Sequence, residues 1–271
     1  MNTTELLYKT RPGRLILKAL VSRPVSALSG RILDSRFSMA FISPFVKSCN
    51  IDLSEYRTDG INSFNDFFCR RIKKGRRIIN YESKALIAPC DGLLSVYRID
   101  EDTVLDIKQS RFTVRSMLRD GKLAGIYKNG CALVFRLCVD NYHRYIYFDS
   151  GFKYKNRHIP GFYHTVRPVA LEEFPVFAEN TREYVVMDTE GFGRCVQMEI
   201  GAMLVGRIVN EEKSACHVVR GDEKGHFEYG GSTVILLIPD GKMTLRPDIK
   251  AAAGTSMEIP VKMGETIGTA L

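Results

Sequence analysis

Gly230-Gly231-Ser232-Thr233-Val234-Ile235-Leu236-Leu237-Ile238-Pro239 is the stretch on which the reading of this chain turns. Two glycines stand directly before a hydroxyl residue, and an unbroken apolar run follows. The run is short, rich in β-branched residues and closed by Pro239-Asp240-Gly241, which predicts a buried strand over 233–238. Gly230 and Gly231 lack a Cβ and reach backbone conformations closed to other residues. A serine at the mouth of such a strand is placed to attack the carbonyl of Gly231. That N→O acyl shift turns a peptide bond into an ester. Elimination of the ester makes Ser232 a dehydroalanine, and loss of ammonia leaves a pyruvoyl group at a new N-terminus. The plain alternative is a glycine-rich turn that enters a core strand.

Outward from that stretch, 271 residues and 45% apolar content suit one large domain, or a core domain with an extension. No apolar run approaches the roughly 20 residues of a membrane-spanning helix, and no signal-peptide pattern is visible. The seven cysteines are scattered without a C-x-x-C pair, which reads as reduced thiols in a cytosolic setting. The five histidines contain no H-x-x-x-H pair, so no metal site is expected. Charge is uneven. Residues 1–80 hold 15 Lys and Arg against 6 Asp and Glu, whereas the rest of the chain holds 24 against 25. A basic N-terminal region points to nucleic acid or to an anionic membrane surface.

Residues 13–48 read as amphipathic helical pieces, with Leu15, Ile16, Ala19 and Leu20 beside Arg14 and Lys18, then Ile32, Leu33, Phe37, Ala40 and Phe41 beside Arg31 and Arg36. Such faces suit a lipid interface, and equally a helix packed on its own domain. Few stacking aromatics and no nucleic-acid motif put RNA and DNA aside. Ser63 or Asn62 caps a short helix over Phe64-Asn65-Asp66-Phe67-Phe68, and the basic run Arg70–Arg77 after it reads as a solvated face. From about residue 84 the texture changes to short strands at 85–88, 93–99, 103–107, 131–139, 144–149, 184–188, 194–200, 202–209, 233–238 and 257–261. Phe112 to Leu123 is the best internal helix. The end of the chain, Val261–Gly268, has the turn-and-strand pattern of lipoyl-like folds, but too few residues follow Met263 to complete a carrier domain. The expected class is α+β: a helical basic region at 1–80, then a β-rich domain at 81–271, sandwich- or barrel-like with lipoyl-like elements.

Three further segments carry polar chemistry. Ala88-Pro89-Cys90-Asp91-Gly92 puts a carboxylate on a tight turn. Phe135 to Tyr145 ends an apolar strand in Asp140-Asn141-Tyr142-His143-Arg144. A histidine at a strand end is well placed for proton transfer. His164-Thr165-Val166-Arg167-Pro168 and Phe177-Ala178-Glu179-Asn180-Thr181-Arg182 follow.

Taken in order, these segments resemble the phosphatidylserine decarboxylases, in particular the shorter bacterial type. The matching pieces are Phe64–Phe68, Pro89–Gly92, Asp140–Tyr145, His164–Ala170, Phe177–Arg182, Gly201–Gly206 and Lys224–Ile235. The resemblance implies a proenzyme cut between Gly231 and Ser232 by a relay of Asp91, a histidine and Ser232. A serine hydroxyl needs a base to take its proton, and the base an orienting carboxylate. It also implies a covalent pyruvoyl group derived from Ser232, and two associated chains, 1–231 and 232–271, the smaller of 40 residues. The pyruvoyl ketone would form a Schiff base with phosphatidylserine and take up the electrons left by CO2, releasing phosphatidylethanolamine. One position departs from the family pattern. Many members have a second histidine three residues after the one in Tyr-His-Arg; here it is Ile146. That leaves His143 as the relay histidine, with His164 as the second candidate.

The reading is therefore an enzyme held peripherally on the cytoplasmic face of the cell membrane, with an anionic membrane surface as partner, no nucleic acid and room for a homo-oligomer. A pyruvoyl decarboxylase of a soluble amino acid, and a β-rich binding module without activity, stand as rivals. The basic amphipathic N-terminus argues against the first, since a soluble substrate needs no docking surface.

Overall fold

Seven consecutive residues, Ser232–Ile238, form a strand in which every side chain is buried. The surroundings that bury it are given by a computed structural model that describes residues 3–102, 104–107, 110–166, 170, 175–202, 207–229 and 232–271. The helices are α1 (Thr3–Lys9), α2 (Arg11–Leu20), α3 (Arg23–Leu33), α4 (Ile42–Cys49), α5 (Phe64–Phe68), α6 (Val114–Leu118), α7 (Gly121–Ala124), α8 (Val176–Glu179) and α9 (Pro247–Ala252), with a 3-10 helix at Arg36–Phe41. The strands are β1 (Ala85–Ile87), β2 (Gly92–Arg98), β3 (Val104–Ile107), β4 (Ser110–Thr113), β5 (Cys131–Leu137), β6 (Arg144–Ile146), β7 (Gly151–Lys153), β8 (Arg157–Ile159), β9 (Arg182–Thr189), β10 (Gly193–Gly201), β11 (Ile208–Asn210), β12 (Cys216–Val218), β13 (Glu223–Phe227), β14 (Ser232–Ile238), β15 (Met243–Leu245), β16 (Ile259–Val261) and β17 (Thr266–Ala270).

The main sheet has nine antiparallel strands in the order β12-β7-β9-β10-β14-β5-β2-β16, with β8 also on β9. β14 lies in its middle, between β10 and β5. Both faces of a central strand are covered, which is why its sequence is continuously apolar rather than alternating. Each of its five aliphatic residues contributes about 1.5–3 kcal/mol by burial.

The two faces carry separate cores. On one, Ile235 and Leu237 pack with Tyr8, Leu17 and Val21 of the N-terminal helices and with α6, α7 and α8. On the other, Val234, Leu236 and Ile238 pack beneath two small three-stranded sheets, β1-β17-β15 and β11-β13-β6. The architecture is α+β as expected. The barrel-like alternative fails: among the described residues the main sheet is open, because its edge strands β12 and β16 pair only with β7 and β2.

Residues 112–123 also depart from expectation. Phe112 lies in β4, and the helix breaks in two. Thr113 and Ser116 form a capping box, Arg119 turns left-handed at φ 51°, and Asp120 starts α7 by accepting from the Leu123 N–H. Three capping side chains within eight residues favour two short helices over one long one. The expected strand over 202–209 shortens to β11, with 203–206 outside the described residues.

Candidate active site

Ser232 opens β14 opposite Leu137 of β5 and Gly201 of β10. Side chains alternate along a strand. Ser232 therefore shares the face of Val234 and Leu236, under the small sheets, while Thr233 shares the helix-covered face of Ile235. The Ser232 Oγ is buried and has no hydrogen-bond partner among the described residues. Gly230 and Gly231 lie outside the described residues.

His143 bounds the same segment of chain. After β5 the Asn141 side chain accepts from the Cys138 N–H at 2.8 Å and turns the backbone. The His143 carbonyl then accepts from the Phe227 N–H at 2.9 Å. Residues 227–232 thus begin against His143 and end against Leu137. The ring is wholly buried, with its Nδ1 2.9 Å from the Asn141 carbonyl and the Phe68 ring centroid 4.1 Å away. A carbonyl oxygen only accepts, so Nδ1 carries the hydrogen and Nε2 presents its lone pair. That Nε2 has no partner among the described residues. Burial pulls the His143 pKa down to about 3, and the charge of Arg70 pulls the same way, while the Asn141 hydrogen bond and the charge of Asp91 oppose them. The imidazole is neutral at physiological pH.

Asp91 is placed differently from the relay expectation. Its carboxylate takes two hydrogen bonds from Arg77, Nε at 2.9 Å and a terminal nitrogen at 2.5 Å, and a third from the Met263 N–H at 2.9 Å. Lys262 Nζ is 3.7 Å away. No described hydrogen bond joins Asp91 to His143, although its charge acts on the ring. The turn is pinned by Gly92, where a Cβ would lie 2.9 Å from the Arg136 carbonyl, and by the Ile146 N–H on Pro89. The basic run at 70–77 is thus only partly the solvated face expected. Arg71, Lys73, Lys74 and Arg76 are exposed, but Arg70 is buried over Tyr56 and Phe67, and Arg77 is the buried counter-charge of Asp91.

His164 lies on the other side of β14. The Asn180 side chain, fully buried, accepts from the His164 N–H and donates to the carbonyls of His164 and Gly201. It thereby ties the His164 segment to the residue paired with Ser232. The ring is engaged at both nitrogens: Tyr8 OH is 3.4 Å from Nδ1, and a Glu179 oxygen is 3.8 Å from Nε2. Burial lowers its pKa to about 4. Arg167 and Pro168 of that motif, and Met203–Gly206 of a later one, lie outside the described residues.

Over residues 64–269 the chain matches the model of the phosphatidylserine decarboxylases. It belongs to that family. It is 42% identical over 265 residues to phosphatidylserine decarboxylase proenzyme 2 of Clostridium acetobutylicum, covering 97% of this chain and 90% of the relative. The proenzyme of Clostridium beijerinckii is 37% identical over 270 residues, 98% and 91% of the two chains. That of Clostridium tetani is 38% identical over 247 residues, 90% and 83%. The chain is thus an enzyme, a lyase of a proenzyme family.

Several residues around the centre of this decarboxylase carried no sequence signal. Asn65 accepts from the Tyr229 N–H at 3.0 Å and donates to Asp34 at 2.8 Å, fixing the chain three residues before Ser232. Tyr229 in turn packs on Phe68, with ring centroids 5.0 Å apart, and Phe68 packs on His143. Asn65 and Asn180 stood within recognised motifs but with no role. A cluster of Glu211, Glu223 and His226 brings ligand atoms within 4.8 Å of one another. Arg71 and Arg144 already occupy the Glu223 oxygens, so the carboxylate charge is spent on guanidinium groups.

Proposed function

We propose that this decarboxylase cuts itself between Gly231 and Ser232, carries the resulting pyruvoyl group on the small chain, 232–271, and converts phosphatidylserine to phosphatidylethanolamine. The observation that carries this reading is a matched pair of buried orphans. The Ser232 Oγ has a hydrogen to give, the His143 Nε2 has a lone pair to receive it, and neither has another partner. Leaving both unpaired costs about 1–3 kcal/mol each, so a rearrangement that joins them is favoured as well as productive.

In this reading His143 takes the Oγ proton as Oγ bonds to the Gly231 carbonyl carbon. The Gly231–Ser232 C–N bond breaks, and the imidazolium returns the proton to the departing amine. Loss of the Ser232 α-hydrogen expels the Gly231 carboxylate as the end of the large chain, 1–231. Water then replaces the nitrogen, which leaves as ammonia. The Asn141 carbonyl fixes the His143 tautomer throughout. Asp91, held by Arg77, acts on the ring through its charge. The pyruvoyl group supplies a ketone for the substrate amine and a sink for the electrons left by CO2. His143, neutral and fixed, is the group to hold and return a proton at the reacting carbon.

The N-terminal region is read as the docking surface, peripheral on the cytoplasmic face of the membrane. Leu17 and Val21 anchor the helices to the core, while Phe37 is 92% exposed, Leu15 76%, and Ile16 and Phe41 more than half exposed. Among the described residues no helix is long and apolar enough to cross a membrane. Arg70 and Arg77 are committed to the catalytic domain, so the docking surface ends before them and not at residue 80.

Intact mass tests the central step. The wild type should yield a 40-residue chain with a blocked N-terminus, and Ser232→Ala a single uncut chain. A wild type that stays whole under native conditions removes the proposal. Flotation with anionic vesicles tests the docking surface: salt should weaken the association, since each basic residue near the surface contributes about 1 kcal/mol before screening. No association at low salt would make these helices ordinary packing elements.

A further inference from the structure

We infer that the cleft between α3 and the Arg207–Glu228 ion pair is the seat of the substrate's phosphodiester, with Arg31 and Arg207 as its ligands. The inference deepens the substrate reading above and rests on it. The cleft is a cavity of about 360 Å³ walled on one side by Ser26, Gly30 and Arg31 of α3 and its C-cap residue Asp34, and on the other by Arg207 and Glu228.

Its position relates it to both ends of a phospholipid. Glu228 lies four residues before Ser232, and Arg207 follows six residues after Gly201, the register partner of Ser232. Both residues of this wall thus lie within six residues, along the chain, of the reactive strand end or of its register partner. At its other rim stands α3, whose Leu28 and Ile32 are 58% and 54% exposed. At about 100° per residue, Ser26, Gly30 and Asp34 fall on one stripe of this helix, and Leu28 and Ile32 on another. Arg31 lies between the two stripes. One helix thus presents an apolar stripe toward lipid and a polar wall toward the cleft, with a guanidinium at their border. That is the depth at which a phosphodiester stands, between acyl chains and the polar headgroup.

The two arginines are suited to it. A guanidinium offers planar, paired donors that match phosphate oxygens. Arg31 makes no ion pair among the described residues. Arg207 lines the same cavity but is already ion-paired with Glu228, so Arg31 is the main ligand and Arg207 the lesser one. A free phosphate would satisfy the same donors; the apolar stripe beside Arg31 favours the lipid.

The test uses neutral detergent micelles, which remove bulk attraction between a basic surface and an anionic membrane. Rates are normalised to pyruvoyl content by mass. Arg31→Ala should raise the KM for phosphatidylserine, as mole fraction, on the order of tenfold at nearly constant kcat, with Arg31→Lys intermediate. Arg98→Ala, at the far end of β2, should leave both unchanged. Independently of turnover, binding of glycerophosphoserine to the uncut Ser232→Ala protein, followed by phosphorus NMR, should weaken by a similar factor in Arg31→Ala. Inorganic phosphate should compete only weakly in the same titration. An unchanged KM and unchanged glycerophosphoserine binding in Arg31→Ala overturn the inference while leaving the decarboxylase reading intact. Equal binding of inorganic phosphate would make the cleft a simple anion site and overturn it too. Absence of pyruvoyl in the wild type would instead strike the reading on which it rests.

Discussion

The two faces of the main sheet each offer a buried histidine to the start of β14, and the comparison shows what burial alone does not decide. His143 and His164 are both nearly inaccessible, and burial lowers the pKa of both. On the face of Ser232, the His143 Nδ1 is committed to a carbonyl and its Nε2 has no partner. On the face of Thr233, the His164 ring stands between Tyr8 and Glu179, and its backbone is clamped by Asn180. One ring has an acceptor in reserve and the other is used to build structure. The difference lies in the company each nitrogen keeps, not in residue type or depth.

The strongest way to break this comparison is to exchange the outcomes. His143→Ala should slow self-cleavage on the order of 10⁴-fold, the usual cost of removing one member of a serine relay. His164→Ala should still cut, within about tenfold of the wild type, and lose its effect mainly as stability. Cleavage time courses by mass would decide, and an uncut His164→Ala beside a normally maturing His143→Ala reverses the assignment.

Asp91 sharpens the comparison at an intermediate scale. Asp91→Asn leaves the buried Arg77 with Glu55 alone, at 3.2 Å, as counter-charge, so the cost stays below the about 3–5 kcal/mol of a fully broken buried pair. Its effect on cleavage should be smaller than that of His143→Ala, because no described hydrogen bond joins the two side chains. Urea unfolding of each variant in a Ser232→Ala background, where the chain stays whole, separates the two effects. A stable Asp91→Asn that cuts as slowly as His143→Ala would instead point to direct contact between Asp91 and the ring during the reaction.

The smallest expected effect is on pH. The folded pKa of His143 is about 3, against about 6.5 for a free imidazole. The unfolded chain therefore binds the extra proton first. Stability is whole above about pH 6.5 and falls as the pH drops toward 3, by up to about 1.4 kcal/mol per unit for this residue. His143→Phe in the Ser232→Ala background should flatten that slope between pH 6.5 and 5. A slope unchanged by the substitution would mean the ring is not held neutral in the fold.

How much of this could be read from the sequence follows from how far each signal extends. β14 and β5 were plain because their centres, 234–238 and 132–135, are buried on both faces and run without a polar residue. The three-residue strands β7, β8 and β12 went unseen, because three residues carry no period and their neighbours are polar. The break at Arg119 was hidden by a continuous apolar pattern on either side. Ser232 and His143 were legible because the chemistry demands those residue types at a strand mouth. Arg77 was not: in a run of cations, nothing local marks the one whose partner is 14 residues away on a buried turn. Asn180 was equally silent, since its three hydrogen bonds all go to backbone that only the fold brings near.

The place of Ser232 at the head of a central strand sets the order of events in the life of the protein. The 40 residues from Ser232 onward supply β14 to the middle of the main sheet, β16 to its edge, and β15 and β17 to a separate sheet with β1. A cut before Ser232 thus divides the chain without freeing either part, because the short piece is threaded through the long one. On the proposed cut, assembly must be complete before scission, and scission cannot be rehearsed in reverse. The two pieces made separately should not find each other, and a matured molecule once melted should not return. With that cut, maturation would work as a ratchet, and the working lifetime would be set by how slowly the threaded piece is pulled out.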